Sequence, residues 1–151
     1  MLRVSAYAAA VVGKDERAAR LRAVPLFSTC TDRQLEFIAT RVDELDFPMG
    51  KVLTEEGQSG GDFFIIMSGS ADVRRGGRTV NRMKAGDFFG EIALLDNGPR
   101  SATVVATSPL RALVLGPSQF QDVLFQDGEI ARQILYAVTK RLRASGPPPA
   151  D

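Results

Sequence analysis

The sequence predicts a mainly β protein with flanking helices: a jelly-roll-like β-roll of short antiparallel strands, N-terminal helices and a C-terminal helix pair. Two observations carry that expectation. Between residues 45 and 115, short runs rich in Val, Ile, Phe and Thr alternate with Gly, Pro, Asn and Asp, the punctuation of many short strands rather than of an α/β sheet. On either side, apolar residues recur every three or four positions, the period of amphipathic helices.

In chain order, residues 1–44 read as helical. The segment DERAARLRAV reads as one helix, which Pro25 disfavours continuing. Leu35, Ile38, Ala39 and Val42 fall at i, i+3, i+4 and i+7, and Thr31 with Gln34 makes a capping-box start for that stripe. Strands are expected at 44–47, 52–54, 62–68, 71–74, 78–84, 101–106 and 110–115. Gly76-Gly77 suits a hairpin turn, because glycine accepts positive φ without strain. Pro117 suits a first helical position, with Phe120, Val123 and Leu124 on one face. After the Asp127-Gly128 break, Ile130, Ile134, Leu135, Val138 and Leu142 form another stripe, which Gly146 and the prolines after it terminate. The expected division is a helical extension over 1–20, one domain over 21–144 and a disordered tail over 145–151.

Composition narrows the function classes. The 151 residues suffice for one domain with a real core. A net charge of +1 makes no electrostatic case for a nucleic-acid or membrane partner. The single cysteine, Cys30, excludes an intramolecular disulfide and fits a reducing, cytoplasmic compartment. The N-terminal apolar run faintly suggests a secretory signal, but it is weakly hydrophobic and holds Ser5 and Tyr7. No histidine occurs, which removes the usual general base, Ser-His and Cys-His pairs and His-based metal sites. The expectation is a binding module: no enzyme, no cofactor and no metal.

The stretch FFGEIALLDNGPRSATV, from Phe88 to Val104, concentrates the chemistry. Glu91 stands in an apolar run and Arg100 beside a strand, and buried charges are costly unless paired. Either the two charges satisfy each other or a ligand satisfies them. A turn beginning at Gly90 offers unpaired N–H groups to an anion. Arg100 offers a bidentate cation and Ser101 a hydroxyl, while Glu91 accepts hydrogen bonds from a sugar hydroxyl. A phosphate adjoining a ribose would satisfy the set.

FGEIALLDNGPRSATV resembles the phosphate-binding cassette of cyclic nucleotide-binding domains, the module of catabolite activators, cyclic-nucleotide-regulated kinases and gated channels. The upstream runs VLTEEGQSGGDFFIIMSGSADV and MKAGDFFGE resemble the family's earlier strands, and the likeness spans about residues 22 to 143. The resemblance implies that Glu91 holds the ribose 2′-hydroxyl, that Arg100 and Ser101 hold the cyclic phosphate, and that Gly90, Ile92, Ala93 and Ala102 surround the sugar-phosphate. It places Val73 and Val80 against the base and makes the last helix, with Arg141, a lid. On the bare sequence, Arg141 in TKRLR also reads as a solvated helix face. The implied ligand is cAMP, with cGMP the alternative that Ser101 leaves open.

No DNA-binding, kinase, acyltransferase or pore sequence accompanies the cassette. The expected function is therefore a stand-alone sensor that moves its C-terminal helix to regulate an unidentified effector protein, with room for a homodimer. The alternatives are a nucleotide-free interaction or dimerisation module of the same fold, and the regulatory fragment of a larger protein such as a channel. An enzyme on a β-roll is disfavoured by the absence of histidine.

Overall fold

Two antiparallel sheets form, and one of them is buried on both faces. The structure, a computed structural model, describes residues 8–9, 14–59, 61–96 and 98–145. Its elements are β1 (Ala8–Ala9), α1 (Lys14–Leu21), α2 (Asp32–Ala39), β2 (Asp43–Phe47), β3 (Val52–Thr54), β4 (Phe63–Ser68), β5 (Ala71–Arg75), β6 (Arg78–Met83) and β7 (Phe88–Phe89). Then follow α3 (Glu91–Asp96), β8 (Thr103–Ala106), β9 (Leu110–Leu115), α4 (Pro117–Leu124) and α5 (Gly128–Ser145). One sheet runs β1-β2-β9-β4-β7 and the other β3-β8-β5-β6.

The burial patterns explain why the strands differ in sequence. In β4 and β9, Phe64, Ile66, Ala112 and Val114 point to the second sheet and meet Ala71, Val73, Val104 and Ala106. Their alternate residues Phe63, Ile65, Leu113 and Leu115 point the other way and pack on the helices, against Leu21, Leu35, Ile38, Phe120 and Ile130. Both strands are therefore nearly continuous apolar runs, whereas β6, on an edge, is exposed except at Met83. The β5–β6 hairpin turns at Gly76 and Gly77, with φ of 59° and 78°, the left-handed pair that matches strand twist.

The helices frame the roll. α2 begins with the expected reciprocal cap: the Gln34 amide donates to Thr31 Oγ1 at 3.2 Å and the Thr31 amide to Gln34 Oε1 at 2.8 Å. α1 is tied to the sheet through Glu44, which is buried and pairs with Arg20 of α1 and with Arg111 of β9. No described helix is long and apolar enough to cross a membrane.

Three expectations need correction. Ala8–Ala9, read as helical, pairs with β2 opposite Asp46 and Leu45, because the edge of β2 offers unpaired backbone groups that outweigh alanine's helical preference. The rest of the extension before residue 14 and the tail from residue 146 lie outside the described residues. Phe88–Phe89, where no strand was expected, pairs with β4. On α5, Ile130 and Ile134 are buried and Val138 packs beneath, but Leu135 and Leu142 are exposed. Each residue advances about 100° around a helix, so Leu135 sits well off the face that Ile134 buries.

Cys30 belongs to the core beneath the helices. Burial, and secondarily the Asp127 carboxylate, push its thiol from 9.0 up to about 11. Its reactive thiolate is thus roughly a hundredfold scarcer than on an ordinary cysteine. Native protein at pH 8 is expected to react with a disulfide reagent at least that much more slowly than protein unfolded in urea. Equal rates would contradict the buried placement.

Candidate functional site

The site is built where β7 ends. Gly90 follows Phe89 with φ of 100°, and a Cβ there would stand 2.5 Å from the Asp62 carbonyl oxygen, so only glycine fits. The chain turns directly into α3, whose first residue, Glu91, is only 1% exposed. Nine residues on, the backbone flanking Arg100 is fastened to the loop after β3. The Arg100 amide donates to the Gln58 carbonyl at 2.8 Å, and the Gly57 amide donates to the Arg100 carbonyl at 2.9 Å.

Arg100 is 6% exposed, and its guanidinium is held by neutral carbonyls: Nη1 donates to Gly90 at 3.0 Å and Nη2 to Asp62 at 2.7 Å. A Cβ at Gly61 would come within 2.2 Å of Nη2, so that glycine makes room for the fork. Burial lowers the guanidinium's pKa, and the charges of Asp62 and Glu91 act the other way. Arginine still stays protonated, so this is a desolvated cation.

Glu91 does not close on Arg100. Both its oxygens accept from Arg141 Nη1, at 2.6 Å each, and Arg141 lies 50 residues away on α5. Arg141 Nη2 also donates to the Phe88 carbonyl, and its Cζ sits 5.2 Å over the Phe88 ring. The solvated-face reading of Arg141 is therefore wrong: it is partly buried and clamped. So is the idea that Glu91 and Arg100 satisfy each other. The partner of Glu91 comes from a different element.

These groups surround a cavity of about 300 Å³. Gly90, Glu91, Ile92, Arg100, Ser101 and Ala102 line one side, Arg141 reaches it from α5, and Val73 and Val80 line the β5–β6 wall. Val73 is buried and Val80 half exposed. Ala93 lies on α3, but its side chain falls outside the described residues. Sequence reasoning missed Thr54, Arg75, Asn81, Met83, Phe89 and Val104, which also line the cavity. Arg75 was legible in principle, since it stands two residues from Val73 on one strand and so shares its face. Thr54, whose hydroxyl donates to the Ala102 carbonyl at 3.1 Å, gave no local signal.

Chemically, the cavity combines a desolvated cation and a hydroxyl, one carboxylate, and apolar walls. No cluster of metal-ligating side chains occurs among the described residues. The arrangement suits holding an anionic, hydroxyl-bearing ligand with an apolar body.

Comparison with known proteins gives the same picture. The family model for the cyclic nucleotide-binding domain matches residues 44–138. A cAMP-dependent protein kinase regulatory subunit from Pyricularia oryzae is 37% identical over 122 residues, 80% of this chain and 31% of its own. The chain thus spans about a third of that relative. Among solved structures, a cAMP-binding acyltransferase from Mycobacterium smegmatis superposes with a TM-score of 0.71 at 32% identity, covering 87% of this chain and 42% of its own. The catabolite activator protein of Thermus thermophilus gives 0.68 at 27% identity, covering 79% and 58%.

Removing the clamp leaves a buried carboxylate unpaired. Arg141→Ala is expected to lower stability by about 1–3 kcal/mol, the cost of an unsatisfied buried polar group, read as a lower urea midpoint at constant m-value. Adding Glu91→Gln should recover part of that loss. Strict additivity of the two substitutions would show that the pair contributes no coupling.

Proposed function

Because the chain belongs to the cyclic nucleotide-binding domain family, we propose that it is a sensor of a 3′,5′-cyclic nucleotide, cAMP first, that regulates an effector protein through α5. The observation that carries this reading is that one cavity is lined by both the buried Arg100 cation and the buried Glu91 carboxylate, which do not bond each other. A cyclic nucleotide supplies a partner for each. Its phosphate anion would take the Arg100 fork and the Ser101 hydroxyl, and its ribose 2′-hydroxyl would donate to Glu91. The purine would lie along Val73 and Val80, with Gly90, Ile92 and Ala102 closing around the sugar-phosphate. Ala93 would contribute through the backbone of α3.

Arg141 gives the proposed sensor an output. A carboxylate has about four lone-pair positions, so Glu91 can hold Arg141 and a ribose hydroxyl together. Nucleotide that fixes Glu91 then favours the state in which α5 is docked, and a ligand shifts an equilibrium only through such differential affinity. Asp127 lies at the pivot: its carboxylate accepts from Thr29 Oγ1 at 2.6 Å and from the Glu129 amide at 3.3 Å. The regulatory-subunit and cAMP-binding relatives support a regulatory role under cAMP. The effector is the protein whose contact with α5 changes.

Titration calorimetry tests this. Wild-type protein is expected to bind cAMP one to one. Arg100→Ala should lose about 2–5 kcal/mol, roughly thirtyfold to several thousandfold, and Arg100→Lys should also bind poorly because a point charge lacks the fork. The 2′-deoxy analogue should bind wild-type protein about 1–3 kcal/mol more weakly. A wild-type chain that binds neither cAMP nor cGMP at millimolar ligand would leave the nucleotide-free interaction module as the function.

A further inference from the structure

We infer that Arg75 and Asn81, on the hairpin wall of the same cavity, read the O6/N7 edge of a 6-oxopurine, so that these two side chains add to cyclic GMP affinity and narrow the preference for cAMP. The inference rests on the cyclic-nucleotide reading above and goes beyond it in naming what discriminates the base.

Arg75 is the last residue of β5, partly buried, and lines the cavity on the hairpin wall with Val73 and Val80. Its Nε donates to the Ser101 carbonyl at 2.9 Å, which pins the guanidinium beside the cassette. That bond occupies Nε alone and leaves the two terminal nitrogens as an end-on fork of donors. No carboxylate pairs with Arg75 among the described residues, although its neighbours Arg74 and Arg82 both pair with Asp72. A cation pinned at a cavity wall without an acid partner is poised for acceptors on a ligand.

Asn81 reaches the same wall through an irregularity in the sheet. The pairing steps from Val73 opposite Asn81 to Arg74 opposite Thr79, which leaves Val80 as an extra residue. Strict alternation would turn one of Val80 and Asn81 away, but the bulge lets both line the cavity. Asn81 Oδ1 accepts from the Arg82 amide at 2.8 Å, so the side chain offers its amide hydrogens to a ligand.

The hairpin wall therefore presents donors. A 6-oxopurine offers acceptors at O6 and N7 side by side, the edge that an arginine fork reads bidentately. Adenine puts an amine at the first of those positions, where donor would face donor. Apolar walls of valine hold either ring system, so the polar pair adds to the hold on the 6-oxopurine alone.

The test measures cAMP, cGMP and cyclic IMP against wild-type protein, Arg75→Ala and Asn81→Ala by calorimetry. Cyclic IMP carries the 6-oxo group without the 2-amine of guanine, and so isolates the edge that Arg75 reads. In Arg75→Ala the ratio of cGMP to cAMP association constants is expected to fall at least tenfold, with the cyclic IMP ratio falling in step. Asn81→Ala should move both ratios the same way by a smaller factor. Arg75→Gln, which keeps a donor on the wall, guards against a misfolded alanine variant and should give an intermediate ratio. Ratios within threefold of wild type, in protein that binds cAMP, overturn the assignment of Arg75 alone. A uniform loss for all three nucleotides would place Arg75 on the phosphate and overturn it too. Failure of wild-type protein to bind any of them would overturn the nucleotide reading, and this inference with it.

Discussion

A carboxylate cannot be left bare inside a protein, and Glu91 is almost wholly buried. Taking such a charge out of water costs several kcal/mol unless partners are in place. Here the partner, Arg141, is on the last helix rather than within the cassette, and both Glu91 oxygens are engaged by its Nη1. The cavity floor and α5 are thus joined through one side chain. Whatever changes the demands on Glu91 changes the energy of docking α5.

The rest of the molecule makes that joint sharp. β4 and β9 are packed on both faces, so the strand end that carries the Asp62 carbonyl is held in a close-packed frame. Gly61 and Gly90 leave room for the Arg100 fork against that frame, at separations no Cβ tolerates. The cation is therefore fixed before any ligand arrives, which reduces the ordering cost of binding an anion. By contrast α5 buries Ile130 and Ile134 near its start and exposes Leu135, Tyr136 and Leu142. Beyond Ile134, the Arg141 clamp and partly buried Val138 hold it to the roll.

Much of this was legible in the sequence because the signals were local. The capping box at Thr31, the glycine pair at the hairpin, Pro117 at a helix start and the strand-turn rhythm all act over a few residues. The cassette residues also fall on one cavity, because they are close in the chain. What stayed hidden was long-range. The pairing of Ala8–Ala9 with β2 spans more than thirty residues, and the Arg141–Glu91 contact spans 50. Helical spacing could not rank Leu135 below Ile134, because the stripe was wider than the face that docks. Nor could it foresee the bulge that turns Asn81 to the cavity, since one extra residue breaks the alternation on which strand reading depends.

The central claim is that nucleotide and α5 meet at Glu91. Hydrogen exchange across α5, followed in the absence and presence of saturating cAMP, tests it most directly. The expected result is slower exchange over residues 130–143 on binding, with that slowing lost in Arg141→Ala while cassette protection persists. Exchange in α5 that does not respond to bound cAMP in wild-type protein would contradict it.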